Sequence, residues 1–142
     1  RNVTGVQTCA LPISDFLDQR FERIDQAIAL GALFTAHHLN AAAIAALTDS
    51  GSTPIWMSRH NIRVPIFALT SRVDTQRALS TYRNVRPFSI GRGVDRETAL
   101  LQVEERLKKL GVVQSGDTIV LTIGEPMDQA GGTNTLKIIK VR

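Results

Sequence analysis

The 142-residue chain has little cysteine, few aromatic residues and no long apolar run. Its only cysteine is Cys9, so the remainder of the chain has neither a disulfide nor a thiolate metal site. Aromatic residues make up 5% of the sequence and are not interleaved with the scattered Lys and Arg side chains, which argues against a nucleic-acid-binding surface. No apolar segment approaches the length of a membrane span. These absences predict a cytoplasmic protein that binds neither nucleic acid nor membrane.

What is present is the composition of an ordinary globular domain. Hydrophobic residues make up 43% of the sequence and charged residues 21%, with a formal net charge of +4. The length is enough for one domain with a real core.

The first fourteen residues differ in character from the remainder. Residues 3–13 resemble the translation of a common sequencing-library adapter over 11 consecutive positions. A secretory signal is the rival interpretation, but the segment lacks a long apolar region and a cleavage site. We therefore expect residues 1–14 to be non-native and residues 15–142 to form one domain. Without Arg1, 16 basic residues face 13 acidic ones, a net charge of +3.

Strands and helices are predicted to alternate through this domain. Short turns between them indicate βαβ units and a mainly parallel sheet with helices on both faces. No helix separates the last two strands, so we expect the fifth strand to be antiparallel and at an edge of a five-stranded, three-layer α/β fold. The predicted strands are 41–47, 65–70, 85–90, 118–124 and 135–141, and the predicted helices are 15–39, 54–63, 73–82 and 95–110.

Apolar spacing predicts which side of each long helix is buried. In the first helix the predicted buried side consists of Phe21, Ile24, Ala27, Ile28, Gly31, Phe34 and His38, and the solvated side of Arg20, Glu22, Arg23, Asp25 and Gln26. In the last helix the predicted buried residues are Leu100, Leu101, Val103, Leu107 and Leu110. Asn40 and Gly111 are the expected stop signals, because both residue types tolerate left-handed backbone.

Residues 48–53, here called the 48–53 turn, stand out chemically. The segment is rich in hydroxyl groups and glycine, follows a buried strand and precedes a helix. Such a turn offers backbone N–H and side-chain O–H donors, which suit a phosphate group. The same composition is equally typical of a simple helix N-cap, so both interpretations stay open at this point.

A second donor-rich segment, residues 125–134 or the 125–134 loop, leaves the fourth strand. Its glycines at positions 131 and 132 permit close backbone approach, and Thr133 and Asn134 add donors. Ligands of open α/β sheets bind beyond the carboxyl ends of the strands, where both segments are expected. Together they predict a pocket for a phosphorylated small molecule.

No catalytic or metal-binding constellation is found in the sequence. Ser50, Ser52 and Ser58 have no convincing base beside them, and a Ser–His hydrolase using His60 lacks its third member. No paired-cysteine, clustered-acid or His-Glu-x-x-His pattern predicts a metal site. Binding is therefore a better expectation than catalysis.

The sequence resembles the C-terminal domain of pyruvate kinases. The similarity runs from about residue 21 to residue 142, and its motifs occur in the same order as in that family. They are Leu-Thr-Asp-Ser-Gly-Ser-Thr at 47–53, Pro-Ile-Phe-Ala-Leu-Thr at 65–70, Ser-Gly-Asp at 115–117 and Gly-Thr-Asn-Thr at 132–135. The helix from Ile24 and the segment 78–86 also fit.

This resemblance implies a regulatory domain with a five-stranded sheet, distinct from the catalytic barrel. In many members it binds a phosphorylated effector and takes part in homotetramer contacts. Bacterial members activated by AMP or a pentose phosphate such as ribose 5-phosphate look more similar than those activated by fructose 1,6-bisphosphate. The implied effector-binding residues are Thr48, Ser50, Gly51, Ser52, Thr53, Asp128, Gly131, Gly132 and Thr133.

One position departs from the family pattern. Members often carry Arg where this chain has Ser52, and the loss removes a charge-assisted contact to phosphate. Either effector affinity is weakened, or a neighbouring guanidinium such as that of Arg72 or Arg92 substitutes. Two alternatives remain open: a pure assembly module with a degenerate effector site, and a small free-standing phosphate-handling enzyme.

The resemblance also implies what this chain does not contain. The family's substrate, Mg²⁺ and K⁺ residues lie in the barrel, so no catalytic residue and no cofactor are assigned to residues 15–142. The parent enzyme is expected to transfer phosphate from phosphoenolpyruvate to ADP, and this chain alone is expected to be inactive.

Overall fold

The computed structural model describes residues 20–124 and 132–142, which form alternating helices and strands. The elements are α1 (Ile24–His38), β1 (Ala43–Leu47), α2 (Ser52–Ser58), β2 (Ile66–Thr70), α3 (Val73–Leu79), β3 (Val85–Ser89), α4 (Arg96–Lys109), β4 (Thr118–Gly124) and β5 (Thr133–Lys140). Within these ranges no helix has both the length and the apolar character that a membrane crossing requires.

The five strands form one sheet in the order β3-β2-β1-β4-β5. All neighbouring pairs are parallel except β4 and β5, which are antiparallel. The predicted α/β class, the strand count and the antiparallel edge strand are therefore confirmed. Because β5 runs against β4, its first residues lie at the same edge of the sheet as the carboxyl ends of the parallel strands.

The central strand β1 separates two hydrophobic cores. All five of its residues are buried, and three of them are alanine. Alternate side chains along β2 show the division, since Ile66 and Ala68 contribute to one core and Phe67 and Leu69 to the other. Helices α1, α2 and α3 cover the first core, and α4 covers the second. The sheet therefore has helices on both faces, as predicted.

Both predicted stop signals adopt left-handed backbone. Asn40 has φ +52° and follows α1, and Gly111 has φ +74° and follows α4. At the other end of α4, the Asp95 side chain accepts a 2.9 Å hydrogen bond from the Thr98 N–H. Hydrogen bonding from the Thr98 side chain, and next this backbone bond, lower the pKa of Asp95, because both favour the ionised carboxylate.

Several predicted boundaries are wrong by a few residues. Helix α2 occupies 52–58 rather than 54–63, and α3 ends at Leu79 rather than at residue 82. Hydroxyl groups account for both early ends: the Ser58 hydroxyl donates to the Ile55 carbonyl at 2.7 Å, and that of Ser80 to the Arg77 carbonyl at 2.6 Å. Such bonds compete with helical backbone bonds. Helix α2 and strand β5 each begin two residues earlier than predicted, so Ser52 belongs to the helix and Thr133 to the strand.

The predicted orientation of α1 is wrong. The helix begins at Ile24, not at residue 15; positions 15–19 lie outside the described residues, and 20–23 are not helical. Ile24 and Phe34, predicted to be buried, are 68% and 43% exposed. The buried side instead consists of Asp25, Ala29, Leu30, Ala32, Leu33 and Ala36. These mostly small side chains let α1 approach the sheet closely, which the larger ones would prevent.

The predicted inner side of α4 is partly wrong for a similar reason. Val103 and Leu107 are buried as expected, but Leu101 and Leu110 are more than half exposed. Ala99 takes the remaining inward position. The apolar residues of α4 extend around the helix beyond the side that the sheet can cover.

Adjacent residues of α1 offer a direct test of its orientation. We expect Leu33→Ala to lower the free energy of unfolding by about 2–5 kcal/mol, because Leu33 is 2% exposed and its removal leaves a cavity. Phe34→Ala removes a larger side chain from the outer side and should cost about 1 kcal/mol or less. Urea unfolding of the two variants measures the difference, and a larger cost for Phe34→Ala would contradict the orientation described.

Candidate functional site

The two segments singled out in the sequence meet at one edge of the sheet. The 48–53 turn leaves the carboxyl end of β1, and Thr133 is the first residue of β5. The Thr53 hydroxyl donates a 3.0 Å hydrogen bond to the Thr133 hydroxyl, and both side chains are buried. This bond joins residues 80 positions apart and ties the start of α2 to the start of β5.

The conformation of the 48–53 turn depends on Gly51. Gly51 caps α2 with φ +86°, and its N–H donates to the Thr48 hydroxyl at 2.8 Å. A Cβ at this position would lie 3.2 Å from Leu79 Cδ2 and 3.3 Å from Thr75 Cγ2. Glycine therefore meets two needs here, left-handed backbone and close packing against α3.

Two serines form the exposed rim of the turn. The Ser50 hydroxyl donates to that of Ser52 at 3.2 Å and accepts from the Ser52 N–H at 3.3 Å. Helix α2 has only 7 residues, so its dipole is small. What the turn offers to an anion is instead its hydroxyl groups and the Thr53 N–H, because the Ser52 N–H donates to Ser50 and residue 54 is proline.

Asp25 lies beneath this rim, although the sequence pattern predicts it to be solvated. It is 1% exposed, and its Oδ2 accepts a 2.9 Å hydrogen bond from the Ser52 hydroxyl. Arg23 donates to both carboxylate oxygens, from Nε at 3.0 Å and from an Nη at 2.6 Å. The spacing Asp25-Ala29-Ala32-Ala36 is the sequence signal that places this acid on the buried side of α1.

A second guanidinium lies on the other side of the turn. Arg72 has an Nη 3.6 Å from Asp49 Oδ2 and makes two hydrogen bonds to Asp74, at 3.1 and 2.7 Å. The bonds from Arg72 are the main cause of a lowered pKa at Asp74, and the pKa of Arg72 itself is raised by the same pair. The Thr75 hydroxyl donates to the Asp49 carbonyl at 2.7 Å, so α3 also holds the turn.

Close backbone approach occurs where the 125–134 loop begins and ends. A Cβ on Gly124 would lie 2.6 Å from the Gly132 carbonyl oxygen, so Gly124 must lack a side chain. The sequence pattern assigned the close approach to the glycines at 131 and 132. Asp128 and Gly131 lie outside the described residues, and their predicted role stays a prediction.

Two further polar side chains of the described residues, those of Thr122 and His60, have distinctive surroundings. Thr122 Oγ1 in β4 is buried and has no hydrogen-bond partner among the described residues. Within residues 20–124 and 132–142, no three His, Cys, Asp or Glu side chains converge as metal ligands would. Burial, and next the charge of Arg59, lower the pKa of His60, so its imidazole is neutral at pH 7.

Comparison with known proteins identifies the domain type. The family described as "Pyruvate kinase, alpha/beta domain" matches residues 26–139. Pyruvate kinase from Buchnera aphidicola subsp. Baizongia pistaciae is 35% identical over 126 residues, which are 88% of this chain and 26% of that protein. Pyruvate kinase II from Salmonella typhimurium is 34% identical with the same coverage. Pyruvate kinase from Thermotoga maritima is 33% identical over 83% of this chain and 25% of its own. The chain thus spans about a quarter of the length of these curated relatives.

Two glycines with similar backbone test the packing of the turn. Gly51 and Gly116 have φ +86° and +92°, but a Cβ at Gly116 meets nothing within 4 Å. We expect Gly116→Ala to cost about 1–2 kcal/mol of unfolding free energy from backbone strain alone. Gly51→Ala should cost at least about 1 kcal/mol more, because its Cβ crowds Leu79 and Thr75. Denaturant unfolding compares them, and equal costs would show that the contacts around Gly51 relax freely.

Proposed function

Because the chain belongs to the pyruvate kinase family and is its C-terminal α/β domain, we propose that it binds a phosphorylated effector and regulates the parent enzyme. The observation that carries this proposal is the 3.0 Å contact between Thr53 and Thr133. It brings two hydroxyl-rich segments to the edge of the sheet where α/β proteins bind ligands. The proposed effector-binding residues are those predicted from the sequence: Thr48, Ser50, Gly51, Ser52, Thr53, Asp128, Gly131, Gly132 and Thr133.

A phosphate group fits the chemistry of the turn. The hydroxyls of Ser50 and Ser52 and the Thr53 N–H are donors, and every oxygen of a fully ionised phosphate group is an acceptor. The proposed effector class comprises AMP, ribose 5-phosphate and fructose 1,6-bisphosphate. In place of an Arg at position 52, Arg23 is the cation proposed to meet the phosphate, because it shares the Asp25 carboxylate with the Ser52 hydroxyl. Arg72 is held by Asp74 and lies 3.6 Å from Asp49.

For the parent enzyme we propose the family reaction, phosphate transfer from phosphoenolpyruvate to ADP in the cytoplasm, with Mg²⁺ and K⁺ bound in a barrel domain outside this sequence. The effector site would act on that barrel through a change in subunit packing, since coupling between two sites requires a structural element that both of them bias. The isolated chain is expected to be inactive.

Assembly is a second candidate role, and the outer side of α1 favours it. Ile24, Ala27 and Phe34 lie on one side of the helix and are exposed, Ile24 by 68%. Exposed apolar side chains grouped in this way are typical of protein–protein contacts. We propose that this side of α1 contributes to homo-oligomer contacts in the parent enzyme, a role compatible with effector binding at the far side of the same helix.

Calorimetric titration tests the effector site. We expect this chain to bind at least one of AMP, ribose 5-phosphate and fructose 1,6-bisphosphate. Ser50→Ala should weaken that binding about tenfold, because a hydrogen bond to a charged oxygen is lost. Ser58→Ala, at the opposite end of α2, is the matched control and should leave affinity unchanged. No heat of binding with any of the three at millimolar concentration would remove the effector role and leave assembly.

The assembly role has its own measurement. Phe34→Glu places a charge on the outer side of α1 without touching the core, so the fold should persist while self-association is lost. Sedimentation equilibrium of the chain and of this variant compares their association. A Leu101→Glu variant, on the exposed side of α4, is the control. Equal association of all three proteins would contradict a role for α1.

A further inference from the structure

A buried carboxylate holds two groups of the proposed effector site. Asp25 accepts hydrogen bonds from the Ser52 hydroxyl at 2.9 Å and from Arg23 at 3.0 and 2.6 Å. Asp25 is 1% exposed, whereas the Arg23 side chain is 50% exposed. The carboxylate is therefore fixed, and its guanidinium partner is accessible from solvent.

The position of this acid in the fold is unusual. The other buried residues of α1 are alanine and leucine, which pack against the sheet. A charge among them must be paired, because an isolated carboxylate removed from water is strongly unfavourable. Its partners are Arg23, two residues away, and Ser52, which is 27 residues away in the rim of the 48–53 turn. The second partner links α1 to the proposed effector site.

A hydroxyl group donates only one hydrogen bond. While the Ser52 hydroxyl donates to Asp25, it cannot donate to a ligand, and the nearby carboxylate repels any anion that approaches it. Both charged oxygens of Asp25 also occupy the guanidinium of Arg23. The Ser52 hydroxyl and the Arg23 guanidinium are thus both engaged by a group of the protein itself.

We propose that Asp25 is an internal competitor for anions at the 48–53 turn and determines how tightly this site binds phosphate. The inference rests on the effector site proposed above. Asp25 engages the Ser52 hydroxyl and the Arg23 guanidinium, which are the donor and the cation that a phosphate group would otherwise recruit. A ligand must displace this carboxylate from Ser52 or bind without that hydroxyl.

The chain contains a closely matched control for the effect of charge alone. Arg72 and Asp74 repeat the Arg-x-Asp arrangement: each Arg is the extended N-cap residue of its helix and makes two bonds to the Asp two positions later. Asp74, however, is 69% exposed and contacts no hydroxyl of the turn in the described chain. Without Asp74, Arg72 would still have Asp49 at 3.6 Å.

The test uses Asp25→Asn, which keeps the size of the side chain and removes its charge. The amide can donate to the Ser52 oxygen, which leaves the hydroxyl proton for a ligand. We expect this variant to bind ribose 5-phosphate and inorganic phosphate about tenfold more tightly than the unmodified chain at about 0.15 M salt. Calorimetry and the fluorescence of Trp56, the chain's single tryptophan, one turn beyond Ser52, provide two readouts.

Asp74→Asn and the double variant Arg23→Gln/Asp25→Asn complete the design. The first changes net charge equally and should alter affinity less than about twofold, because exposed charges are screened. The second should lose the gain, because the released guanidinium is absent. Thermal unfolding by circular dichroism verifies folding, and Asp25→Thr replaces Asp25→Asn if the latter is unfolded.

The outcomes separate this inference from the proposed function. If the unmodified chain binds phosphate ligands and neither neutral variant at position 25 binds them more tightly, the competitor role is wrong and the effector site stands. An equal gain from Asp74→Asn would also overturn the competitor role, since net charge alone would explain it. If neither the unmodified chain nor the variants bind any phosphate ligand, the effector site itself is wrong, and with it the competitor.

Discussion

Close packing of α1 on the sheet is the constraint on which the site depends. Three of the six buried residues of α1 are alanine, and a Cβ added to Gly31 would lie 3.6 Å from Leu136 Cδ1 of β5, so the helix lies close to the sheet. A helix so oriented must direct Ile24 and Phe34 outward and Asp25 inward. The same packing that turns an apolar side of α1 to solvent therefore places a carboxylate under the 48–53 turn.

The turn itself is held by many small contacts. Gly51 allows it to pack on α3, the Thr48 hydroxyl satisfies a backbone N–H, and Thr53 connects it to β5. A binding site built in this way is preorganised, so a ligand need not spend its interaction energy on ordering the loop. Because α1 contacts the turn through Asp25, occupancy of the site and the position of α1 are physically connected. That connection is what an effector domain requires if α1 also makes subunit contacts.

Much of the fold was predictable, because it depends on patterns among residues that are close together in the sequence. Apolar runs located all five strands, and the missing helix before β5 predicted its antiparallel direction. Asn40 and Gly111 marked two helix ends through their tolerance of left-handed backbone. The side of α1 was not predictable from hydrophobicity, since close packing selected the smaller residues over Ile24 and Phe34. Likewise Asp25 was assigned to solvent because the larger apolar residues defined the opposite side of the helix, and no local pattern predicts its hydrogen bond to Ser52, 27 residues away.

The Ser52 hydroxyl donates to Asp25, and this contact bears on the effect of having Ser rather than Arg at position 52. A guanidinium at position 52 would lie beside the buried carboxylate and pair with it, so its charge would not be wholly available to a ligand. In this chain Arg23 supplies that pairing instead. Among the described residues, the ion pairs beside the turn involve two cations, Arg23 and Arg72, and three anions, Asp25, Asp49 and Asp74. The balance of these five side chains is negative, although the whole chain is basic. The proposed phosphate recognition therefore relies on oriented O–H and N–H donors, and its expected strength depends on how firmly Asp25 retains Arg23 and the Ser52 hydroxyl.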